Sequence, residues 1–302
     1  MITVIEKLDG TRINLFDKGV LTADFVVSPI DLKTDSENIS GRPGRILTSF
    51  DYGNRAATLN LYALADSRLD TITLRDRIAE LIDGNEPFYI YEGVTPKLYG
   101  FQLPGEVSNR NAYEQSDTYI LEGKRLLIYR IGNGAIKFSG LTGNRNIEFE
   151  TYELPFWESS KTTLELSELA KEWNINPLIL GMGIEWDEDY TWEFTSAYPI
   201  VRNLGNVPVN PRYMPLKITI KGDFPNGVTL TNQTTGESVT FSGSLTASDT
   251  LVFDGVQYLK NGVNVSYQTN YGLIKLKPGE NQISITGGSL TSVKFDFRFY
   301  FK

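Results

Sequence analysis

Apolar and polar residues alternate along much of this chain, and this period of two restricts its fold more than any other feature. In residues 57–64, Ala57, Leu59, Leu61 and Ala63 fall on one side of an extended strand, while the residues between them fall on the other. Similar runs, rich in β-branched and aromatic residues, occur at 23–27, 88–91, 119–121, 125–129 and 147–152. The pattern predicts a mainly β protein.

Residues 70–84 have a helical period instead. Their apolar stripe consists of Ile72, Leu74, Ile78, Leu81 and Ile82. Asp70 is a residue type that caps helix starts. An apolar stripe needs a sheet face to cover, so we expect the first domain to be a β-sandwich or barrel-like fold with one α-helix packed on it.

The chain changes character at a junction formed by Leu154, Pro155, Phe156 and Trp157. Pro155 has no amide hydrogen to donate to a β-ladder, and a polar run follows it. We therefore predict one domain at residues 1–157 and a second at residues 158–302.

The second domain begins with an acidic segment, residues 158–196, which has nine acidic and two basic residues. This segment contains Trp173, Trp186 and Trp192, three of the four tryptophans in the chain. From residue 214 onward, short alternating runs are separated by glycine-containing turns at 235–236, 254–255, 261–262, 278–279 and 287–288. Short strands at that spacing favour an antiparallel β-sandwich.

The chain has no cysteine and no histidine, and this excludes several classes of chemistry. A Ser-His-Asp triad, a Cys-His pair, a disulfide framework and a His- or Cys-ligated metal are all ruled out. Carboxylate pairs, lysine and oxygen-ligated calcium or magnesium remain. The formal net charge of −8 argues against a protein that grips nucleic acid through phosphates. We find no signal peptide and no apolar run of roughly 18 residues, and therefore expect synthesis in the cytoplasm and no membrane span.

Two groups of carboxylates are candidate sites. Asp187, Glu188 and Asp189 could supply oxygen ligands to calcium, but they lack the alternating spacing and the glycine of a calcium loop, which favours a solvated acidic loop. Glu148 and Glu150 share one face of a predicted strand and could act as a glycosidase pair. A solvated outer strand face is the commoner outcome for such residues.

Two further groups are candidate binding surfaces. The turn formed by Gly41, Arg42, Pro43, Gly44 and Arg45 concentrates two guanidinium groups, which can bind phosphate or carboxylate, although a structured loop is the simpler interpretation. Aromatic rings can stack on sugars, and the candidates are Trp173, Trp186, Trp192, Tyr258, Tyr267 and Tyr271; core or interdomain packing is the alternative for the tryptophans. No glycine-rich phosphate loop occurs, so we predict no cofactor, no metal and no catalytic residue.

The order of several short motifs resembles the distal tail proteins of siphoviruses that infect Gram-positive bacteria. The most specific is Phe149-Glu-Thr-Tyr-Glu-Leu-Pro-Phe-Trp157, which is similar to the family's transition from ring domain to outer domain. The others are the turn at 41–45, Arg55 in the strand that follows, the helix around 74–82, the run at 87–91, Asn203-Leu-Gly-Asn-Val-Pro208 and Leu276-Lys-Pro-Gly-Glu-Asn281.

The resemblance implies a non-enzymatic virion protein at the phage tail tip. It implies a hexameric ring of N-terminal domains that joins the tail tube protein to the tail-tip or baseplate proteins, with galectin-like C-terminal β-sandwiches projecting outward. A receptor-binding protein is a further implied partner, and DNA would pass through the central channel without specific binding. A carbohydrate-binding adhesin that recognises the bacterial surface is the alternative, and an acid-base glycosidase built on Glu148 and Glu150 is a third hypothesis.

Overall fold

A computed structural model describes residues 3–82, 84, 86–92, 123–132, 134–171, 182 and 190–302. The chain divides into two compact units, residues 1–157 and 158–302. Within the described ranges no helix is both long and apolar enough to cross a membrane. The predicted strand at 119–121 lies outside the described residues.

The first unit is mainly β, as predicted. Its strands are β1 (Thr3–Lys7), β2 (Arg12–Asn14), β3 (Val20–Val27), β4 (Leu32–Glu37), β5 (Ile46–Tyr52), β6 (Ala56–Leu64), β7 (Phe88–Glu92), β8 (Lys124–Arg130), β9 (Lys137–Ser139) and β10 (Thr142–Thr151). A 3-10 turn spans Phe16–Lys18 and helix α1 spans Asp70–Ile82. An antiparallel sheet runs in the order β2-β1-β7-β8-β10-β6-β3, β9 pairs with β10, and β4 and β5 form a sheet of their own.

Alternation explains how this sheet is covered. The inward residues of β6 form one hydrophobic cluster with the buried residues of β1, β3, β7, β8 and β10, and helix α1 contributes Leu74, Ile78 and Ile82 to the same cluster. The predicted helix is thus confirmed, and Leu81 packs partly buried against the cluster. Ile72 is the exception, because it is exposed in the first turn of the helix.

The described part of the second unit contains strands and one α-helix. Its elements are β11 (Trp157–Ser159), which crosses the division between the units, α2 (Thr163–Lys171), β12 (Glu193–Phe194), β13 (Ile200–Asn203), β14 (Leu216–Asp223), β15 (Val228–Asn232), β16 (Glu237–Phe241), β17 (Leu251–Asp254), β18 (Gln257–Lys260), β19 (Val263–Asn264), β20 (Gly279–Thr286), β21 (Ser289–Phe297) and β22 (Tyr300–Phe301). Two antiparallel sheets form, in the orders β12-β21-β14-β17-β18-β19 and β13-β20-β15-β16. The five predicted turns contain residues of positive φ: Gly236, Gly255, Asn261 with Gly262, Gly279 and Gly287.

Helix α2 was not predicted. Its start is held by Thr163, whose hydroxyl donates to the Phe295 carbonyl at 2.7 Å and accepts from the Phe297 amide at 3.2 Å on β21. The apolar residues of 273–276 also predict a strand, and this prediction is wrong: of these residues only Leu276 forms a bridge, to Val209.

Three buried asparagines lie where the sequence motifs at 203–208 and 276–281 meet. The Asn281 amide nitrogen donates to the Lys277 carbonyl at 2.9 Å, and its oxygen accepts from the Lys277 amide at 3.0 Å and from the Asn232 amide at 3.1 Å. Asn203 donates to the Leu276 carbonyl at 3.3 Å. The motifs therefore fix the backbone of irregular turns that have no ladder of their own.

Replacing Asn281 by alanine is expected to lower the free energy of unfolding by about 2 kcal/mol or more, because it leaves buried carbonyl and amide groups without partners. Urea denaturation of the full chain measures this. Asn264→Ala is the matched control, since the Asn264 side chain is exposed and, among the described residues, accepts only from the Ser266 amide at 3.0 Å. Equal losses from both variants would contradict a structural role for the buried asparagines.

Candidate assembly surface

Strands β4 and β5 form a hairpin that we call the arm, residues 32–52. Every residue of β4 is exposed, and every residue of β5 except Ile46 is exposed. Exposed apolar side chains include Leu47 and Phe50, each 56% exposed. A two-stranded hairpin with no buried face is marginally stable alone. The arm therefore presents surface that its own unit leaves uncovered.

The strand register gives the arm two different faces. Leu32 pairs with Tyr52 and Thr34 with Phe50, and paired residues share a face. The register shifts between Asp35 and Ser36, where Thr48 is the extra residue. That bulge returns Leu47 to the side of Phe50. We define the apolar face of the arm as Leu32, Leu47, Phe50 and Tyr52.

The opposite side is the polar face of the arm, defined as Lys33, Asp35, Glu37, Ser49 and Asp51. Lys33 pairs with Asp51 and Asp35 with Ser49 in the register. The Ser49 hydroxyl donates to the Asp35 carboxylate at 3.0 Å. One basic and three acidic residues make this face acidic at neutral pH.

The base of the arm is held by the predicted junction residues. The rings of Phe50 and Tyr52 meet edge to face at 6.0 Å, and Tyr52 meets Phe156 in the same way at 5.5 Å. Trp157 contacts Phe25 of β3 at 6.4 Å. Pro155 and Phe156 are buried, and the Leu154 amide donates to the Tyr152 carbonyl at 2.8 Å. The junction thus anchors an aromatic row that continues along the apolar face of the arm.

Strand β3 precedes the arm and ends the sheet order. It pairs with β6, and in the described part of the chain its other edge has no strand partner. Its exposed side chains include Leu21 and Val26. A long edge strand with apolar side chains tends to pair with another chain unless something covers it. Exposed apolar side chains of β3 and of the arm thus occur within one segment of the chain, residues 20–52.

The turn at 41–45 connects the two strands at the far end of the arm. Arg42 and Arg45 are exposed, and Gly41 and Gly44 have φ values of 84° and 92°. The Arg42 amide donates to the Ile39 carbonyl at 3.1 Å. Glycine is favoured at such backbone angles, which explains the two glycines of the motif. The turn places the two arginine side chains at the tip of the arm.

Glu148 and Glu150 lie on the side of β10 opposite the core. Glu150 accepts from the Tyr129 hydroxyl at 2.9 Å and from the Asn54 amide at 3.3 Å. The Tyr129 hydrogen bond to Glu150 raises the pKa of that phenol. Glu150 therefore links β10 to residue 54, directly after the arm.

The sugar-binding candidates fall in different settings. Trp192 is 2% exposed, its indole nitrogen donates to the Arg202 carbonyl at 2.8 Å, and its ring lies between Tyr190 and Phe299, so it packs as a core residue. Tyr258 is also buried. Tyr267 and Tyr271 are exposed. Trp173, Trp186, Asp187, Glu188 and Asp189 lie outside the described residues.

In the described part of the chain, no group of three or more acidic side chains is placed to hold a metal ion. Sequence reasoning missed the arm altogether. The signal that could have found it is the glycine turn at 41–45, followed by the β-branched and aromatic residues of 46–52.

Comparison with known proteins gives one family and several solved structures. Residues 8–139 match the family of the phage tail protein RIFT-related domain. The SPP1 Dit protein, described as a hub of the adsorption apparatus in phages that infect Gram-positive bacteria, superposes with a TM-score of 0.62 at 12% identity, over 99% of this chain and 100% of that one.

Two structures of the phage p2 baseplate in its activated conformation superpose less closely. The strontium form has a TM-score of 0.41 at 8% identity over 98% of this chain and 97% of that one. The calcium form has a TM-score of 0.40 at 8% identity over 99% and 97%. A comparison with curated protein sequences finds no match.

Proposed function

We propose that this chain is a siphovirus distal tail protein and a structural subunit of the tail hub, which its phage-tail domain and its fold support. Six copies form a ring through their N-terminal units, and the ring joins the tail tube to the tail tip or baseplate. The protein performs no reaction of its own. The observation that carries this proposal is the arm with its uncovered apolar face.

The arm and the β3 edge support assembly of identical copies. Monomeric proteins seldom expose contiguous apolar surface, and larger patches mark interaction sites. A ring of heterologous contacts lets one surface of each copy cover a different surface of the next. In such a ring the apolar face of the arm is buried and the β3 edge is no longer open, which also removes the hazard of uncontrolled strand pairing.

The polar face of the arm supports passage of DNA. Its three carboxylates and one lysine give a formal charge of −2 in each copy, and the whole chain has a net charge of −8. A channel lined by acidic groups repels the phosphate backbone, so DNA slides past instead of adhering. We place the apolar face of the arm against the neighbouring copy and the polar face toward the channel, except for Glu37, which lies at the distal end of β4 where the arm meets the next copy.

The proposal also assigns partners and a location. The tail tube protein binds one end of the ring and a tail-tip protein binds the other, in the virion at the tip of the tail. The galectin-like C-terminal units project outward, where a receptor-binding protein can attach. Synthesis takes place in the host cytoplasm.

Mass measurement by light scattering after size exclusion tests the ring. We expect a particle of six times 33.9 kDa, and negative-stain images with sixfold symmetry and a central hole. A single-subunit mass at all concentrations up to about 100 μM would contradict the proposal.

A carbohydrate-binding adhesin is the second candidate. The observation that favours it is a pair of exposed tyrosines in the second unit, Tyr267 at 74% and Tyr271 at 66%, of which Tyr271 has a φ of 55°. A bulky residue in that strained conformation is often associated with a binding role. Binding to bacterial cell-wall glycans by a protein that stays a single subunit would favour this function over the ring.

A further inference from the structure

Arg55 lies at the base of the arm, in an unusual setting for an arginine. Its backbone is fixed to β10, because its amide donates to the Thr151 hydroxyl at 3.0 Å and its carbonyl accepts from the Thr151 amide at 2.9 Å. Its side chain is nearly enclosed, since the residue is 6% exposed. Among the described residues, nothing accepts a hydrogen bond from its enclosed Nε.

Other buried arginines of the first unit have partners. Arg125 pairs with the Glu6 carboxylate, and the Arg145 Nε donates to the Gly134 carbonyl at 2.6 Å. A guanidinium removed from water without a partner is costly, and the charge persists because arginine is not deprotonated at ordinary pH. Burial lowers the pKa of Arg55 for the same reason. Nearby, the Glu150 carboxylate already accepts from Tyr129 and Asn54.

We propose that Arg55 is an anion-binding residue whose partner is a carboxylate from a second copy of this chain, namely Glu37 on the polar face of the neighbouring arm. This inference rests on the proposed ring and names one of its contacts. The enclosed atom is Nε, so the terminal nitrogens are the part of the guanidinium that an incoming carboxylate meets. Arginine binds carboxylates through two parallel hydrogen bonds, which suits a single approaching side chain.

Charge and reach identify Glu37 as the partner. Glu37 is exposed at the end of β4 farthest from the arm base, and no ion pair of Glu37 occurs within the part of the chain that the structure describes. Six residues of β4 extend about 20 Å at the usual rise of an extended strand. That length places Glu37 far from its own arm base, at the end of the arm that can extend toward a neighbouring copy. Asp35 already accepts from Ser49, and Asp51 lies close to the base of its own arm.

Arg55→Leu in the full-length chain tests the contact. Loss of a buried charged partner at an interface is expected to raise the ring dissociation constant about 30-fold or more, measured by light scattering over a dilution series. Subunit stability in urea, measured at concentrations where the ring has dissociated, should be unchanged or higher, because an unpaired buried charge has been removed. A residue that only supported the fold would lower that stability.

Arg145→Leu is the matched control. It removes a buried arginine with a partner inside its own chain, so it should lower subunit stability and leave the dissociation constant of the ring close to that of the wild type. If the wild type forms a ring and the Arg55→Leu variant forms one with the same dissociation constant, the inference is overturned and the proposed function still stands. A wild-type protein that never assembles would overturn both.

Charge exchange tests the choice of Glu37. Arg55→Glu and Glu37→Arg should each weaken the ring, and the double variant should recover affinity to within about 10-fold of the wild type. The double variant Arg55→Glu with Asp51→Arg should not recover. The assignment of Glu37 would be overturned if the double variant with Asp51→Arg recovered affinity, or if neither double variant did.

Discussion

Leu47→Asp and Phe50→Asp together are expected to convert the ring into single subunits while leaving each subunit folded. Both side chains are more than half exposed in the free chain, so the substitutions remove no core contact. In the ring they would bury two carboxylates where two apolar side chains had been. Each lost apolar side chain is worth about 1.5–3 kcal/mol when fully buried, so the dissociation constant should rise at least about 100-fold.

Light scattering gives the mass, and thermal unfolding followed by circular dichroism shows whether the subunit still folds. Leu69→Asp is the control, because Leu69 is 81% exposed, belongs to the same unit and lies outside the arm. The control should assemble like the wild type. Intact rings in the arm variant would show that the apolar face of the arm is not an interface.

The elements that sequence predicted well are those whose burial is complete within one chain. Leu74, Ile78 and Ile82 repeat at helical spacing because a single sheet covers that stripe. Apolar and polar residues alternate along β6 because one face of that strand is buried in the same cluster. Ile72 had the same pattern but lies in the first turn, where the stripe has not yet reached the sheet.

The arm was missed because no face of it is buried within its own unit, so its sequence lacks a regular alternation of apolar and polar residues. Alternation records one buried face, and the bulge at Thr48 shifts the alternation halfway along β5. Helix α2 had a local signal that was overlooked. Thr162 and Glu165 form a capping box, in which the Thr162 amide donates to the Glu165 carboxylate at 2.8 Å.

Long-range polar contacts were also beyond sequence reasoning. Glu6 and Arg125 are 119 positions apart, and no local pattern states that β1 and β8 both lie beside β7. The burial of Arg55 was likewise beyond sequence reasoning. A motif marks its position, but the strand that encloses it, β10, lies far away in the chain.

Glu6 lies in a polar cluster on the first unit's sheet. Its carboxylate accepts from Arg12 at 2.5 Å, from the Tyr91 hydroxyl at 2.8 Å and from Arg125 at 2.5 Å. The Arg125 guanidinium also stacks on the Tyr89 ring, 3.6 Å from its centre. Glu6, Tyr91 and Arg125 are buried, so the carboxylate balances a cation that has little access to water.

Glu6→Gln is expected to lower the free energy of unfolding by about 3 kcal/mol at pH 7, because it leaves the Arg125 charge buried without a counterion. Urea denaturation measures this. Glu80→Gln is the matched control, since Glu80 is exposed on helix α1, and it should change stability by less than about 0.5 kcal/mol. If the control lost as much unfolding free energy as Glu6→Gln, the loss in Glu6→Gln could not be attributed to the polar cluster.

The same cluster predicts how stability depends on pH. Burial by itself raises the pKa of Glu6, but hydrogen bonds from Arg12 and Tyr91 and the charges of Arg125 and Arg12 outweigh it, so the pKa is lowered from its ordinary value of 4.5. The unfolded chain therefore binds this proton at a higher pH than the folded chain does, and the stabilisation is complete above about pH 5. It is lost as the pH falls through the lowered pKa of the folded state. The difference in unfolding free energy between wild type and Glu6→Gln should thus stay constant from pH 7 to pH 5 and shrink in more acidic solution. A difference that grew on acidification would mean that the pKa of Glu6 is raised instead.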